Sequence, residues 1–144
     1  MTKLQNIRTQ IKLILELVEG IGKVYDYYRY VNTIKELTDI GKDGKDFKLA
    51  MFREIKRKDP PADDELSMDR VWEITLLRQV NDSKASQKEI EDLAETVCDT
   101  IKDYDDLNGS IIEHKNAQII NIYEAYFSEI LCHWAVLELE TTEG

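Results

Sequence analysis

A chain of 144 residues fits one domain, able to bury about two thirds of its unfolded surface. Its 29 acidic and 19 basic side chains give a formal charge of −10, which argues against nucleic acid as a partner held mainly through its phosphates. No apolar run approaches the roughly 20 residues of a membrane span, and the N-terminus has no cleavable apolar region; the expectation is a soluble protein not exported by a signal peptide.

Lys3 to Glu19 reads as the first helix, because Leu4, Ile7, Ile11, Ile14, Leu15 and Val18 recur at the helical period and form one stripe. Gly20 and Gly22 stop it. Lys23 to Tyr30 follows as a short strand carrying Tyr25, Tyr27, Tyr28 and Tyr30, rings that either lie flat on a core edge with hydroxyls in water or meet another subunit. Thr33 and Glu36 have capping-box spacing and predict a short helix over Thr33 to Asp39. Gly41 to Asp46 reads as a turn: it lacks the Gly-Lys-Ser/Thr ending of a phosphate-binding loop and the ligand spacing of a calcium loop.

Two strand-like segments come next, Phe47 to Lys58 and Asp69 to Val80, divided by a loop with Pro60 and Pro61. Paired prolines remove backbone donors, so the flanks read as arms of a β-hairpin. Phe47, Leu49 and Met51 share one face of the first arm, and Trp72, Ile74 and Leu76 one face of the second. Toward the loop Arg53, Glu54, Lys56, Arg57 and Lys58 replace the apolar residues. At ~3.3 Å per residue each arm spans roughly 40 Å, about the full width of a domain this long. The hairpin is therefore expected to project, either as a flexible charged loop or as an arm docked on a neighbouring subunit.

Lys84 to Asp103 predicts the longest helix, opened by a Ser86–Glu89 capping box, with Ile90, Leu93, Ala94, Val97, Cys98 and Ile101 inward. Its opposite face carries Glu91, Asp92, Glu95, Asp99 and Asp103. That face is either simply solvated or complementary to the basic arm of an adjacent copy. Tyr104 to Gly109 closes the helix. Ala117 to Tyr123 then pairs antiparallel with Ile130 to Leu137, a run apolar on both of its faces and so read as a central strand covered on both sides.

The chemistry-bearing residues do not assemble into a catalytic pattern. Cys98 and Cys132 lack the spacing of a zinc site or redox pair and read as reduced core thiols. His114 falls in a polar turn and His133 inside the proposed central strand. Neighbours on a strand face opposite ways, so Cys132 and His133 cannot act as a nucleophile and base together. No catalytic, metal or cofactor residue is assigned, and the expectation is a protein that is not an enzyme.

Three phrases then carry a family likeness: Leu17-Val18-Glu19-Gly20-Ile21-Gly22 with Tyr25-Asp26-Tyr27; Asn81-Asp82-Ser83-Lys84-Ala85 leading into Leu93 to Ile101; and Ile130-Leu131-Cys132-His133-Trp134-Ala135. In this order the chain resembles the tail terminator or tail completion proteins of tailed bacteriophages and prophages, over most of its length. The resemblance implies a single α+β domain, residues 1–144, with a mostly antiparallel sheet flanked by helices. It also implies a homo-oligomeric ring, typically of about six copies, that caps the tail tube, ends its polymerisation and offers a surface to the head–tail connector. Its place would be the virion tail, reached through the host cytoplasm during assembly, with no membrane and no sequence-specific nucleic acid as partner. Residues expected at subunit or tube contacts are Arg53, Lys56, Arg57, Lys58, Pro60 and Pro61 on the arm and Asp92, Glu95 and Asp99 on the helix. A head-side adaptor, or a stand-alone regulatory or ligand-binding module with a pocket near His133 and Trp134, is the alternative.

Overall fold

The structure is a computed structural model that describes residues 2–30, 39–43, 46–58 and 68–143. It is an α+β domain. Helix α1 (Lys3–Glu16) precedes strand β1 (Lys23–Tyr25), the two-residue β2 (Lys42–Asp43), and the long β3 (Asp46–Lys58) and β4 (Met68–Gln79). A single 3-10 turn (Asp82–Lys84) leads into helix α2 (Ser86–Lys102), followed by β5 (Glu113–Phe127) and β6 (Ile130–Glu143). The strands lie in the order β1-β3-β4-β6-β5, with β2 beside the start of β3. Only β1 and β3 run parallel; the other pairs are antiparallel.

Both helices pack on one face of this sheet. Ile7, Ile11, Ile14 and Leu15 of α1 and Ile90, Ala94, Val97 and Ile101 of α2 meet Trp72, Ile74, Leu76, Ala135, Leu137 and Leu139 in the main core. The predicted stripes are therefore the buried ones. Helix α1 starts from a capping box formed by Thr2 and Gln5 and ends earlier than its apolar period suggests, at Glu16. Gly20 and Gly22 then turn the chain at φ of +80° and +82°, and a Cβ on Gly22 would lie 2.5 Å from the Lys48 carbonyl oxygen. Only glycine fits there, because both the dihedral and the approach to β3 exclude a side chain.

Five expectations need correction, the last of them at His114. The tyrosine-rich strand is shorter than expected, Lys23–Tyr25, and the chain beyond it crosses the outer face of the sheet, where the Tyr28 hydroxyl bonds Glu73 and Thr75 at 2.6 Å each. The two arms are paired as expected, but β4 is hydrogen-bonded along its whole length to β6, from Met68↔Glu143 to Gln79↔Cys132. The arms are thus absorbed into the sheet and do not project; the loop with Pro60 and Pro61 lies outside the described residues. Third, β6 is covered on one side only for most of its length. His133, Ala135, Leu137, Leu139 and Thr141 are buried while Val136, Glu138, Glu140 and Thr142 are partly exposed. A second, smaller cluster of Ile40, Phe47, Leu49, Met51, Leu77, Phe127 and Cys132 covers the outer face at one end. Fourth, the Ser86–Glu89 capping box does not form. Ala85, at φ +53°, occupies the cap position, and Ser86 is already helical. The predicted helix over Thr33 to Asp39 falls mostly outside the described residues, and residues 39–41 are helical.

The last hairpin is longer than the apolar runs that predicted it. β5 begins at Glu113, so His114 lies in a strand, not in a turn. Its Nε2 sits 3.1 Å from the Ile101 carbonyl oxygen and 3.2 Å from that of Tyr104, acceptors that also receive the Tyr104 and Leu107 backbone N–H groups, so the imidazole ties the start of β5 to the chain leaving α2. Both cysteines are free, Cys132 buried and Cys98 half-buried. Burial pushes the Cys132 thiol up to about 12 and the Cys98 thiol up to about 11, which keeps both protonated and poorly nucleophilic.

Candidate interaction surface

The two borders of the sheet differ. β5 is the terminal strand on one side, paired among the described residues only with β6, so one row of its backbone donors and acceptors faces outward along Glu113–Phe127. Ile119, Ile120, Tyr123 and Tyr126 of this strand are exposed, as are Ile112 just before it and Leu131 across the hairpin. Bulges between Lys115 and Gln118 and between Ile119 and Asn121 interrupt the strand, which leaves Asn121 to Phe127 as its regular stretch. On the opposite border, β1 covers β3 at Leu49–Met51 and β2 at Asp46–Phe47. From Phe52 to Lys58 no strand among the described residues lies on that side of β3.

Charge follows the same division. The open stretch of β3 holds Arg53, Lys56, Arg57 and Lys58 against Glu54, a net +3. β5 holds Glu113 and Glu124 against Lys115, a net −1, and α2 packs over β5 and β6 with Asp92, Glu95 and Asp99 exposed on its outer face. The structure therefore puts the expected basic contact residues at one border and the expected acidic ones beside the other; it does not bring them together within one chain. Pro60 and Pro61 lie outside the described residues.

Arg53, Arg57 and Lys58 are already engaged. Arg53 stacks 4.0 Å from the centre of the Tyr28 ring and lies 3.4 Å from Glu73. Arg57 pairs with Glu54 at 3.0 Å and Lys58 with Glu140 at 3.1 Å. The bond from Lys58 holds the Glu140 carboxyl below its usual range, helped by Lys115. Arg53, Arg57 and Lys58 are 42–47% exposed, and ion pairs of that kind contribute about 0–1 kcal/mol. Little free energy holds them in these pairs. Arg70 is different. It is buried with Glu143 and Glu54, bonding the first through Nε and the second through Nη1 at 2.6 Å.

One internal polar constellation escaped the sequence reading. Ser86 Oγ lies 2.8 Å from His133 Nε2, and His133 Nδ1 lies 3.3 Å from a Glu124 oxygen. This serine–imidazole–carboxylate order has the form of an activated nucleophile. The Ser86 hydroxyl, however, also accepts the Asn81 backbone N–H at 2.7 Å, and only 3% of the residue is exposed. It acts as a strut fastening the first turn of α2 to β6. Beside it is a cleft of about 160 Å³ between Asp46, Lys48, Asn81, Lys84 and Glu89, where Arg78 bonds Glu89 at 2.9 Å and the Gly20 carbonyl. The cleft is smaller than the ~300–1,000 Å³ of a typical small-molecule site. Trp134 is no part of it, since it stacks on Tyr123 at 5.9 Å on the other face of the sheet from His133.

Ile119, Ile120 and Tyr126 are visible in the sequence, but nothing local in it distinguishes the apolar side chains of a border strand from those of the core. A scan against protein-family models gives no match for this chain, and a search of curated proteins gives none.

Proposed function

We propose that this chain is a structural tail protein of a tailed phage or prophage, of the tail-terminator kind. It assembles as a ring on the end of the tail tube, stops tube growth and presents a surface to the head–tail connector. The resemblance of its sequence phrases to that family motivates the reading, and the α+β fold that the resemblance implies is the fold present. The observation that carries it is the β5 border, regular over Asn121 to Phe127, which has no strand on its outer side among the described residues and exposes Ile119, Ile120, Tyr123 and Tyr126. Soluble monomers normally blunt such borders, whereas a subunit of an assembly buries them against a partner.

A ring needs contacts and a bore, and no reacting group has to touch a substrate. The net charge of −10 suits a passage through which DNA slides without adhering; the acidic residues are then expected to line the bore.

The test is to add the full chain to polymerising tail-tube subunits of a tailed phage and measure tube lengths by electron microscopy. A ring at the tube end and a length that stops increasing are expected. Tubes that lengthen equally with and without the chain refute the reading.

A further inference from the structure

We infer that copies of this chain join border to border through their sheets, the open side of β5 in one copy pairing antiparallel with Phe52–Lys58 of β3 in the next. The inference rests on the assembly reading above and specifies its interface.

Strand direction comes first. β3 is antiparallel to β4, β4 to β6 and β6 to β5, so β5 runs opposite to β3. Setting β5 of one copy beside β3 of the next, with the sheet plane continued, produces antiparallel pairing without turning either molecule over. The regular stretch of β5, Asn121 to Phe127, is as long as the open stretch of β3, Phe52 to Lys58. Bulges precede the first and interrupt the second at Ile55, and so restrict the registers in which two borders can meet.

Charge and polarity select the partner. The β3 border carries net +3, and the β5 border net −1 with the acidic outer face of α2 above it. Joined head to tail, Arg57 of one copy, on the helix side of its sheet opposite Arg70, approaches Glu124 and the acidic row of α2 in the next, and exposed Ile55 meets an apolar border. Joining β5 to β5 about a two-fold axis would instead set two acidic helices side by side, which opposes that arrangement. A head-to-tail contact is heterologous, the type that closes rings.

Cysteine pairing tests this directly. In the full antiparallel overlap Lys58 comes opposite Asn121; within the chain Lys58 is opposite Asp69 and Asn121 opposite Val136, so both side chains leave the outer face of the sheet. The full-length variants Lys58→Cys and Asn121→Cys are oxidised each alone and as a mixture of the two reduced chains, with the unsubstituted chain as control for Cys98 and Cys132. A disulfide-linked dimer at least about tenfold more abundant in the mixture than in either variant alone is expected. In native mass spectrometry the double charge reversal Lys56→Glu with Arg57→Glu should reduce the chain to monomer. Dimerisation of Asn121→Cys alone at the rate of the mixture overturns the inference in favour of a two-fold contact. Oligomers or tube caps that survive the charge reversal and give no mixed disulfide overturn it while leaving the assembly reading intact. A mixed disulfide together with tubes that grow unchecked upholds the border pairing and overturns the tail-terminator reading instead.

Discussion

Arg70 is the side chain on which the far end of the sheet depends. It is buried between Glu54 of β3 and Glu143 of β6, and so ties the two neighbours of β4 across the strand that separates them. Removing one member of a buried ion network strands the others, at a cost of about 3–5 kcal/mol. Arg70→Ala should lower unfolding free energy by about that amount in urea titrations, and a loss under about 1 kcal/mol would show that water solvates the triad. The buried thiol of Cys132 gives a pH signature. Its ordinary value of 9.0 is raised to about 12 by burial, so the unfolded chain releases this proton first as pH rises. Its contribution is complete below about pH 9 and is lost as pH climbs toward 12; Cys132→Ala should flatten the fall of the denaturation midpoint over that window. Ser86 shows where local reading stops. The capping-box spacing with Glu89 is real in the sequence, but the left-handed backbone at Ala85 advances the helix start by one residue. The hydroxyl then serves His133, 47 positions away.

At the scale of elements, the two main helices and the hairpin could be read from periodicity, because a 3.6-residue stripe or a pair of prolines is a local signal. The final strands were only half legible. Ile130 to Leu137 looks apolar on both faces because it serves two clusters in succession: Cys132 faces the small outer one, and Ala135, Leu137 and Leu139 the helices. Beyond Leu137 the sequence turns polar, yet the strand continues to Glu143 because Thr141 accepts the Trp72 indole N–H and Glu143 meets Arg70. Those partners lie some 70 positions upstream, where no window reaches. One-sided cover makes a prediction for adjacent residues. Leu137→Ala should cost about 2–5 kcal/mol, whereas Val136→Ala, on the open face, should cost under about 1 kcal/mol. Equal losses in thermal unfolding would require cover on both faces.

For the whole molecule, the candidate contact residues were legible in type but not in arrangement. Arg53, Lys56, Arg57 and Lys58 stood out as a basic run and Asp92, Glu95 and Asp99 as an acidic row. Which side of the domain each occupies depends on strand order, and strand order depends on β6 inserting between β4 and β5. That insertion also constrains how the protein is made. Until Ile130 to Glu143 has left the ribosome, β4 has one naked side and β5 has no partner at all. The sheet can therefore be completed only after synthesis of its last strand. The closure joins distant parts of the chain, which slows folding and exposes the unfinished intermediate to aggregation. Low temperature or slow translation during expression should accordingly raise the soluble yield.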